Sequence, residues 1–300
     1  MRRVAIAVDV GGTKVEGALV EESGRVREGS RSRAETGRAS DAADLRAALA
    51  AVVIHAAGAL TDDDELTGAG IGSAGPIDRD AGSILPFNLP RVGEFPLREA
   101  VATAAAAALG REVPVAMVHD GGCLALAESW LGATQGARAS LSMVVSTGIG
   151  GGFVTGGSYA SGATGNAGHL GHVHTDGGAM LEEVASGPAS VAWAQGQGWQ
   201  GATGEDLARS AAAGDEVARA AIERSARLVG HALADAATLL DLDVVAIGGG
   251  FSFVSDDYVD LVQRALVERA AHDYSRRTRV VRSALGDEGP LIGAAALMLR

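Results

Sequence analysis

The chain has 300 residues, of which 47% are apolar and 21% charged, and this is enough to bury a core in one compact unit or in two lobes. Its formal net charge of -12 argues against a general nucleic-acid or membrane-surface binder, because either would need a positive field. The single cysteine, Cys123, excludes an intramolecular disulfide framework and a multi-cysteine zinc site, and no apolar run approaches the roughly 20 residues of a membrane span. A reducing cytoplasm is the simplest compartment for such a chain.

The N-terminal half begins with strands and then alternates strands with helices. Residues 4–10 are typical of a buried strand, a glycine turn follows, and residues 15–20 predict a second strand. A more polar third strand is predicted at 25–33, which makes an antiparallel meander. A helix at 41–57 should be capped by Ser40 or Asp41. The remaining predicted elements of this half are a strand at 67–73, a helix ending at 109, a strand at 113–118 and a helix at 121–131.

The C-terminal half repeats this order in outline. From residue 141 an apolar strand ends in a second glycine turn at 146–152, and residues 153–155 continue as a strand. Helices are predicted over most of 187–240 and over 258–272, with a strand at 244–247 between them and a last helix within 286–300. Two similar halves, each opening on a glycine hairpin, predict two α/β lobes that face each other across a cleft.

Two aspartates end strands beside these turns. Backbone N–H groups of a glycine hairpin can approach phosphate oxygens closely because no Cβ intervenes, and the hydroxyls of Thr13 and Thr147 add donors. Asp9 precedes the first hairpin, where its carboxylate could hold Mg²⁺ directly or through water; alternatively, it stabilises the turn. Asp120 could accept a proton from a substrate hydroxyl, cap the following helix, or do both.

Three of the seven histidines lie within six positions, at 169, 172 and 174. His172 and His174 could share one face of a strand, and Asp176 extends the alternation, so a metal site is one hypothesis. Hydrogen bonding is the commoner role of histidines in loops. Of the adjacent Glu182 and Glu183, one could accept hydrogen bonds from sugar hydroxyls while the other lies in solvent.

Together these motifs resemble those of the ROK family of sugar kinases over essentially the whole chain. Residues 9–14 (DVGGTK) are similar to the family's first phosphate motif, residues 146–152 (STGIGGG) to its second, and residues 248–250 (GGG) to its adenosine-side turn. Residues 70–78 and 87–90 resemble its sugar-side loops, and His119-Asp120 stands where the family has Asn-Asp. The order and spacing of these motifs are more specific than any one glycine run.

The resemblance implies a fold, a division into lobes and a set of ligand contacts. The implied fold is α/β, a two-lobed actin-like (ribonuclease-H-like) ATPase fold with a central cleft, whose closure would exclude water. The N-terminal lobe would comprise residues 1–118 and 288–300, and the C-terminal lobe residues 119–287. The implied cofactors are ATP and Mg²⁺, with Asp9 on the metal and Asp120 as catalytic base. The implied nucleotide contacts are Asp9, Gly11, Gly12, Thr13, Lys14, Thr147, Gly148, Gly248 and Gly249, and the implied substrate contacts are Gly75, Asn88, His119, Asp120, His169, His172 and Glu182.

Three departures from the family pattern bear on metal and substrate. The family's cysteine-rich zinc loop is missing after His172, so we expect no structural zinc. His169 stands where the family usually has Glu, a change also seen in its N-acetylmannosamine kinases, and His119 replaces an Asn that helps to hold sugar hydroxyls. A side chain that can donate or accept thus replaces an acceptor-only carboxylate, which favours a modified hexose or a cyclitol. Compensated drift around ordinary glucose is the alternative.

The predicted function is transfer of the ATP γ-phosphate to a primary, 6-type hydroxyl of an amino or acylamino hexose such as kanosamine or N-acetylmannosamine. An ordinary glucokinase and a cyclitol kinase of specialised metabolism are alternatives. A non-catalytic sugar-sensing regulator of the family would carry a helix-turn-helix before its first phosphate motif, for which Asp9 leaves no room. An actin-like structural or chaperone ATPase would share the hairpins without needing the sugar-side residues. Since the family commonly forms dimers, the predicted partners are a sugar and a second copy, with neither nucleic acid nor membrane.

Overall fold

The structure, a computed structural model, describes residues 1–300. Its strands are β1 (Arg2–Val10), β2 (Lys14–Glu21), β3 (Ser32–Glu35), β4 (Asp64–Ser73), β5 (Ile77–Asp78), β6 (Ser83–Ile84), β7 (Val115–His119), β8 (Ala139–Val145), β9 (Ile149–Thr155), β10 (Ser158–Tyr159), β11 (Val244–Gly248) and β12 (Arg279–Arg282). Its α-helices are α1 (Ala42–Ala57), α2 (Leu97–Leu109), α3 (Asp120–Leu131), α4 (Leu181–Ala185), α5 (Gly187–Gly196), α6 (Gly204–Ala212), α7 (Glu216–Leu240), α8 (Tyr258–Arg269), α9 (Asp273–Arg276) and α10 (Gly289–Leu299). None of these helices combines the length and the apolar run needed to cross a membrane.

The chain divides into two compact units. Unit 1 comprises Met1–Leu131, Ala160–Ala167 and Asp287–Arg300, and unit 2 comprises Gly132–Tyr159 and Gly168–Gly286. Helix α3 therefore belongs to unit 1, whereas the predicted C-terminal lobe begins at residue 119. The reason is the close packing of α3 on α10, where a Cβ on Gly293 would overlap the carbonyl oxygen of Cys123.

The sheet of unit 1 has the strand order β3-β2-β1-β4-β7. Strand β2 runs antiparallel to both β3 and β1, and β1, β4 and β7 run parallel to one another. Residues 4–8 of β1 are fully buried, as expected for a strand with helices on both faces of its sheet. Leu45 and Leu49 of α1 share one core with Ile6 of β1. The side chain of Asp41 caps α1 by accepting from the backbone N–H groups of Ala43 and Asp44, so the predicted cap is confirmed.

The predicted third strand at 25–33 is wrong in its bounds. Gly24 and Gly29 have φ values of +82° and +74° and turn the chain within that segment. Between them, Val26 forms only an isolated bridge with Val20, and the regular strand β3 begins at Ser32. The hydrogen bonds that a longer strand would have made are replaced in part by Ser30, whose hydroxyl accepts from the Leu19 N–H.

The sheet of unit 2 has the order β10-β9-β8-β11-β12, which repeats the order and the strand directions of unit 1. The predicted repetition is therefore confirmed. The second glycine turn is shorter than predicted, because residues 149–155 form β9 and only residues 146–148 connect it to β8. Helix α7 packs against the unit 2 core through Ile222, Val229 and Leu233.

We expect Gly293→Ala to lower the free energy of unfolding by about 1 to 3 kcal/mol, because the added methyl group must push α10 away from α3. Gly196→Ala is the matched control: nothing lies within 4 Å of a Cβ at that helical glycine. Alanine there should leave stability unchanged or raise it by up to about 1 kcal/mol. Urea unfolding followed by circular dichroism measures both, and equal effects of the two substitutions would contradict this packing.

Candidate active site

The first glycine hairpin joins β1 to β2 in unit 1. The Gly11 N–H donates to the carbonyl oxygen of Lys14 at 2.9 Å, which closes the turn, and Thr13 is exposed at its tip. A Cβ on Gly12 would lie 2.5 Å from the Cβ of Asn88, so Asn88 of the predicted sugar-side loop lies against the hairpin. Unit 1 thus brings the first phosphate motif and one predicted sugar contact together.

Three carboxylates lie at this edge of the sheet. Asp9 of β1 pairs in register with Glu16 of β2 on one side and with Gly72 of β4 on the other. Asp120 begins α3 directly after β7, which is the strand next to β4. A Cβ on Gly72 would lie 2.8 Å from Cys123 Sγ and 3.6 Å from Asp9 Oδ1, so the glycine admits the Cys123 thiol beside Asp9.

Asp9 is the most perturbed of these acids. Burial raises its pKa to about 7, and the negative charges of Asp120 and Glu16 add to the effect. The positive charges of Lys14 and Arg31 act in the opposite direction without cancelling it. A buried acid that gains a proton near neutral pH suits a site where a cation arrives with the ligand.

Three cationic side chains surround Glu16 beside the hairpin, although Glu16 was not among the predicted site residues. It is 4% exposed, and its carboxylate accepts from Lys14 Nζ at 2.7 Å, Arg33 Nη2 at 2.9 Å and Arg31 Nη2 at 3.3 Å. Burial pushes the pKa of Glu16 upward, but the hydrogen bonds from Lys14 and Arg33 bring it below its ordinary value. The sequence signal was the spacing of two between Lys14 and Glu16 and between Arg31 and Arg33, which puts each pair on one face.

His119 is buried, and both of its ring nitrogens have protein partners. The Gly122 N–H donates to Nδ1 at 3.3 Å, and Nε2 lies 2.7 Å from the carbonyl oxygen of Ala167. Nδ1 accepts and Nε2 donates, which assigns the neutral tautomer protonated at Nε2. This arrangement differs from the predicted direct contact with sugar hydroxyls: His119 instead joins β7 to the segment that contains Ala167.

Asp120 is the exposed neighbour of this histidine, with 58% of its side chain accessible. The Gly121 N–H donates to its Oδ1 at 2.7 Å, so one carboxylate oxygen has a backbone partner while the side chain stays accessible. Because His119 is neutral in the assigned tautomer, its 3.8 Å separation from Asp120 Oδ1 is not an ion pair.

The predicted sugar-side loop of unit 1 is held by Asn166, which was not among the predicted site residues. The Ile77 N–H donates to Asn166 Oδ1 at 3.0 Å, and Asn166 Nδ2 donates to the Ile77 carbonyl oxygen at 2.7 Å. Gly75 precedes Ile77 in this loop, and the Ala74 N–H donates to the Val10 carbonyl oxygen at 3.1 Å. Gly75 therefore lies close to the end of β1.

The second hairpin, residues 146–148 of unit 2, has Thr147 exposed at its tip. The Ser146 N–H donates to the Gly148 carbonyl oxygen at 2.9 Å. Gly248 pairs with Val144 of β8, so Gly248 and Gly249 lie beside this hairpin. Glu182 of α4 also contacts it, since its Oε2 accepts from the Ile149 N–H at 2.7 Å. Unit 2 thus brings its predicted nucleotide contacts and Glu182 together.

Two glycines and two histidines lie close together in residues 168–172. Cβ atoms on Gly168 and Gly171 would overlap the carbonyl oxygens of Gly151 and Ile149, so these glycines lie against β9. Residues 170–172 form a 3₁₀ helix that His169 directly precedes. The rings of His169 and His172 stack, with centroids 5.5 Å apart and planes 10° apart.

The hypothesis of a metal site on one strand face at His172, His174 and Asp176 is wrong. His172 ends a 3₁₀ helix, so the alternation of a strand is absent. Arg269 donates to both carboxylate oxygens of Asp176, at 2.7 and 3.0 Å. No group of three or more His, Cys, Asp or Glu side chains in the structure is arranged to hold a metal ion.

Comparison with known proteins matches the model of the ROK family to residues 5–300. The chain belongs to the ROK family. It is 31% identical over 311 residues to an N-acetylmannosamine kinase of Escherichia coli O7:K1 (strain IAI39 / ExPEC), with 98% of each chain covered. A ROK hexokinase from Thermus thermophilus is similar in structure, with a TM-score of 0.81, 31% identity and coverage of 98% of this chain and 97% of that chain. A ROK glucokinase from Streptomyces griseus, solved with glucose and AMPPNP, gives a TM-score of 0.77 at 28% identity, covering 98% and 99% of the two chains.

These comparisons confirm the predicted family and fold class. The ROK model spans nearly the whole chain, and both solved ROK kinases superimpose over nearly all of it. The architecture is thus the actin-like, two-lobed α/β fold of ROK kinases.

Asp9→Asn should stabilise the fold at neutral pH in the absence of Mg²⁺ and nucleotide. The pKa of Asp9 is about 7 in the folded chain against 3.8 ordinarily, so the folded state holds the proton more tightly and the wild type loses stability as pH rises from about 4 to 7. Relative to the asparagine variant the loss should reach roughly 2 to 4 kcal/mol and then level off above pH 7. The urea unfolding midpoints of both proteins between pH 5 and 8 measure this loss of stability. A difference between the two midpoints that does not change with pH would contradict the burial of an ionisable Asp9.

Proposed function

We propose that this chain phosphorylates the primary hydroxyl of an amino or acylamino hexose, with ATP as donor. The observation that carries the proposal is the exposed Asp120 carboxylate beside half-buried Asp9 and the first glycine hairpin. The class of enzyme, a carbohydrate kinase, is confirmed by the family and by its kinase members. The donor is proposed because the related glucokinase was solved with AMPPNP, an ATP analogue.

Asp120 accepts the proton of the attacking hydroxyl as the phosphoryl group transfers. The Gly121 N–H fixes its Oδ1, so we assign proton acceptance to Oδ2. His119 positions Asp120, because its two ring nitrogens tie the end of β7 to Gly122 and to Ala167. Asn88 and the Gly75 loop are proposed to contact the sugar from unit 1.

The first hairpin, closed by the Gly11 N–H, offers the backbone N–H of Gly12, the Thr13 hydroxyl and the Lys14 ammonium to phosphate oxygens. Glu16 holds that ammonium at 2.7 Å. Asp9 fits Mg²⁺, directly or through water, because a divalent cation would neutralise a buried acid flanked by two further carboxylates. The ion, when bound with ATP, supplies charge neutralisation at the transferring phosphate.

Unit 2 is proposed to contribute the remaining contacts. Thr147 and Gly148 would bind phosphate oxygens, and Gly248 and Gly249 would line the adenosine side. The stacked His169 and His172 and the carboxylate of Glu182 are the proposed sugar contacts. A histidine at 169 can donate as well as accept a hydrogen bond, which suits an acceptor with an amino or acylamino substituent better than plain glucose.

ATP turnover with Mg²⁺ across N-acetylmannosamine, N-acetylglucosamine, kanosamine, glucose, mannose and a cyclitol panel tests the proposal through kcat/KM. An amino or acylamino sugar should give the highest value. A clear preference for glucose or a cyclitol would overturn the assignment of an amino or acylamino acceptor. ATP hydrolysis that no sugar stimulates would overturn the assignment of sugar kinase activity. A second copy as partner, a cytoplasmic location and a chain without structural zinc stay predictions.

Asp120→Asn should lower kcat by about 10²- to 10⁴-fold, because the amide cannot take up the hydroxyl proton. Calorimetric titration with AMPPNP and with the preferred sugar should give dissociation constants within about threefold of wild type. Glu99→Gln, at an exposed acid of α2, is the matched control and should keep wild-type kcat. Retained turnover in Asp120→Asn would remove Asp120 from this role.

His169→Glu should shift the ratio of kcat/KM for glucose over that for the preferred amino sugar by about tenfold towards glucose, the effect of roughly one hydrogen bond. An acceptor-only carboxylate then replaces a group that can donate. His174→Glu makes the same change at an exposed position nearby and should leave the ratio unchanged. If both variants move the ratio alike, His169 does not read the substituent.

A further inference from the structure

Unit 2 has a cavity of about 490 Å³ at the N-terminal ends of its parallel strands. Its walls come from the segments that lead into β8, β11 and β12. Its charged and aromatic lining residues are Arg138, Asp241, Asp243, Tyr274, Arg277 and Arg279. It is called the arginine cavity here.

The arginine cavity lies at the opposite edge of the sheet from the proposed nucleotide contacts of unit 2. Strands β8 and β11 run parallel; the second hairpin follows the C-terminal end of β8, and Gly248 ends β11. Strand β8 has seven residues, and a strand rises about 3.3 Å per residue, so roughly 20 Å separate the two edges. A ligand in the cavity would therefore leave the proposed ATP positions of unit 2 free.

Two arginines of the cavity have no partner in the chain. The side chains of Arg277 and Arg279 are exposed and form neither a hydrogen bond nor an ion pair. The whole chain carries a net charge of -12, so two unpaired guanidinium groups in one cavity are a local concentration of positive charge. A concave surface with such a charge attracts anions.

The two carboxylates of the cavity do not neutralise these arginines. Asp243 Oδ2 accepts from the backbone N–H groups of Arg138 and Ala139 at 2.8 and 3.4 Å, and the bond from Arg138 contributes most to holding the pKa of Asp243 below its ordinary value. The Arg138 guanidinium lies 3.7 Å from Asp243 Oδ1. Asp241, at the end of α7, is the other carboxylate, and its side chain has no partner. Two free guanidinium groups thus stand against one free carboxylate.

Buried hydrogen bonds fix the backbone that carries the two arginines. Thr278 lies between them, is 1% exposed, and donates its hydroxyl to the Leu242 carbonyl oxygen at 2.7 Å. The Arg279 N–H donates to the Asp243 carbonyl oxygen at 3.2 Å. The start of β12 is therefore tied to the start of β11, and Arg277 and Arg279 flank a fixed point.

Tyr274 adds an aromatic ring to this charged cavity. Its hydroxyl donates to the Thr238 carbonyl oxygen at 2.9 Å, which holds the ring, and the residue is 41% exposed. Such a ring can pack against the carbon skeleton of a ligand, while planar guanidinium groups match the oxygens of a phosphate. The volume lies in the range of small-molecule sites, which indicates a ligand larger than an inorganic ion.

We propose that the arginine cavity binds a phosphate monoester of a small metabolite, with the phosphate on Arg277 and Arg279 and the carbon skeleton against Tyr274. Two guanidinium groups favour a dianionic phosphate over a carboxylate, which carries one charge. The proposal goes beyond the kinase activity, because it adds a ligand site at the other edge of the unit 2 sheet. It is tested by binding, without turnover.

Calorimetric titration with glucose 6-phosphate and with AMP, in the presence of Mg²⁺ and saturating AMPPNP, tests the site. AMPPNP occupies the phosphate positions of the proposed active site, so binding that persists in its presence reports a second site. A separate titration with AMPPNP alone tests the proposed function independently. The two monoesters show whether a sugar or a nucleoside is the preferred skeleton.

Arg277→Glu and Arg279→Glu should each weaken binding of the preferred monoester by at least about tenfold, the effect of roughly one charge-assisted hydrogen bond. Asp241→Asn should tighten it by about two- to fivefold, because a carboxylate that repels the phosphate is removed. Arg264→Glu and Asp260→Asn make the same changes at exposed positions of α8 outside the cavity and should leave the affinity unchanged. Unaltered AMPPNP affinity in every variant checks that the fold is intact.

Three results would overturn the proposal. The first is an absence of binding of either monoester up to about 10 mM, which corresponds to a negligible affinity. The second is a wild-type affinity in both arginine variants, which would place the bound monoester elsewhere. The third is an equal affinity for the monoesters, inorganic phosphate and sulfate, which would show a site for inorganic anions only.

Discussion

The burial of Asp9 among like charges is the constraint on which the candidate site depends. Antiparallel pairing places Asp9 opposite Glu16, and carboxylates directly opposite each other destabilise a sheet. The cations around Glu16 compensate that residue, since three of them donate to one buried carboxylate. Asp9 receives only their longer-range effect, and its pKa stays near 7. The fold therefore holds an acid whose negative charge a bound cation would neutralise.

The side chains that support the glycine hairpin differ between the two units. In unit 1 the hairpin is followed by Lys14, which a buried glutamate on the same strand holds in place. In unit 2 a glutamate from a helix accepts directly from the backbone at the end of the hairpin. The shared strand order sets where each hairpin lies, and the side chains around it differ. Asp9 and Asp120, the proposed metal and base positions, both lie at the acidic end of unit 1, whereas the hairpin of unit 2 has the carboxylate of Glu182 beside it.

Local patterns in the sequence predict most of the elements and fail where the contacts are distant in the chain. The buried run of β1 and the Asp41 cap are local, and both are present. From the sequence alone, helix α3 could be assigned to either lobe. Its position depends on packing against Gly293, which is distant along the chain. The role of His119 could not be predicted either, since its Nε2 partner, the carbonyl oxygen of Ala167, is a backbone atom that carries no sequence signal. The role of Asn166 could not be predicted for a similar reason: its hydrogen-bond partner is the backbone of Ile77.

Glycines and histidines have different roles in residues 168–172, where the proposed function places two of the sugar contacts. The glycines lie against β9 at distances that no side chain would permit, so they fix the path of the backbone. The rings of His169 and His172 stack on each other, and this contact orients them. In the proposed function, a substitution at 169 changes the donors and acceptors offered to the sugar, while Gly168 and Gly171 keep their backbone contacts with β9. The proposed substrate contact and the residues that hold the turn are therefore different positions of the same short segment.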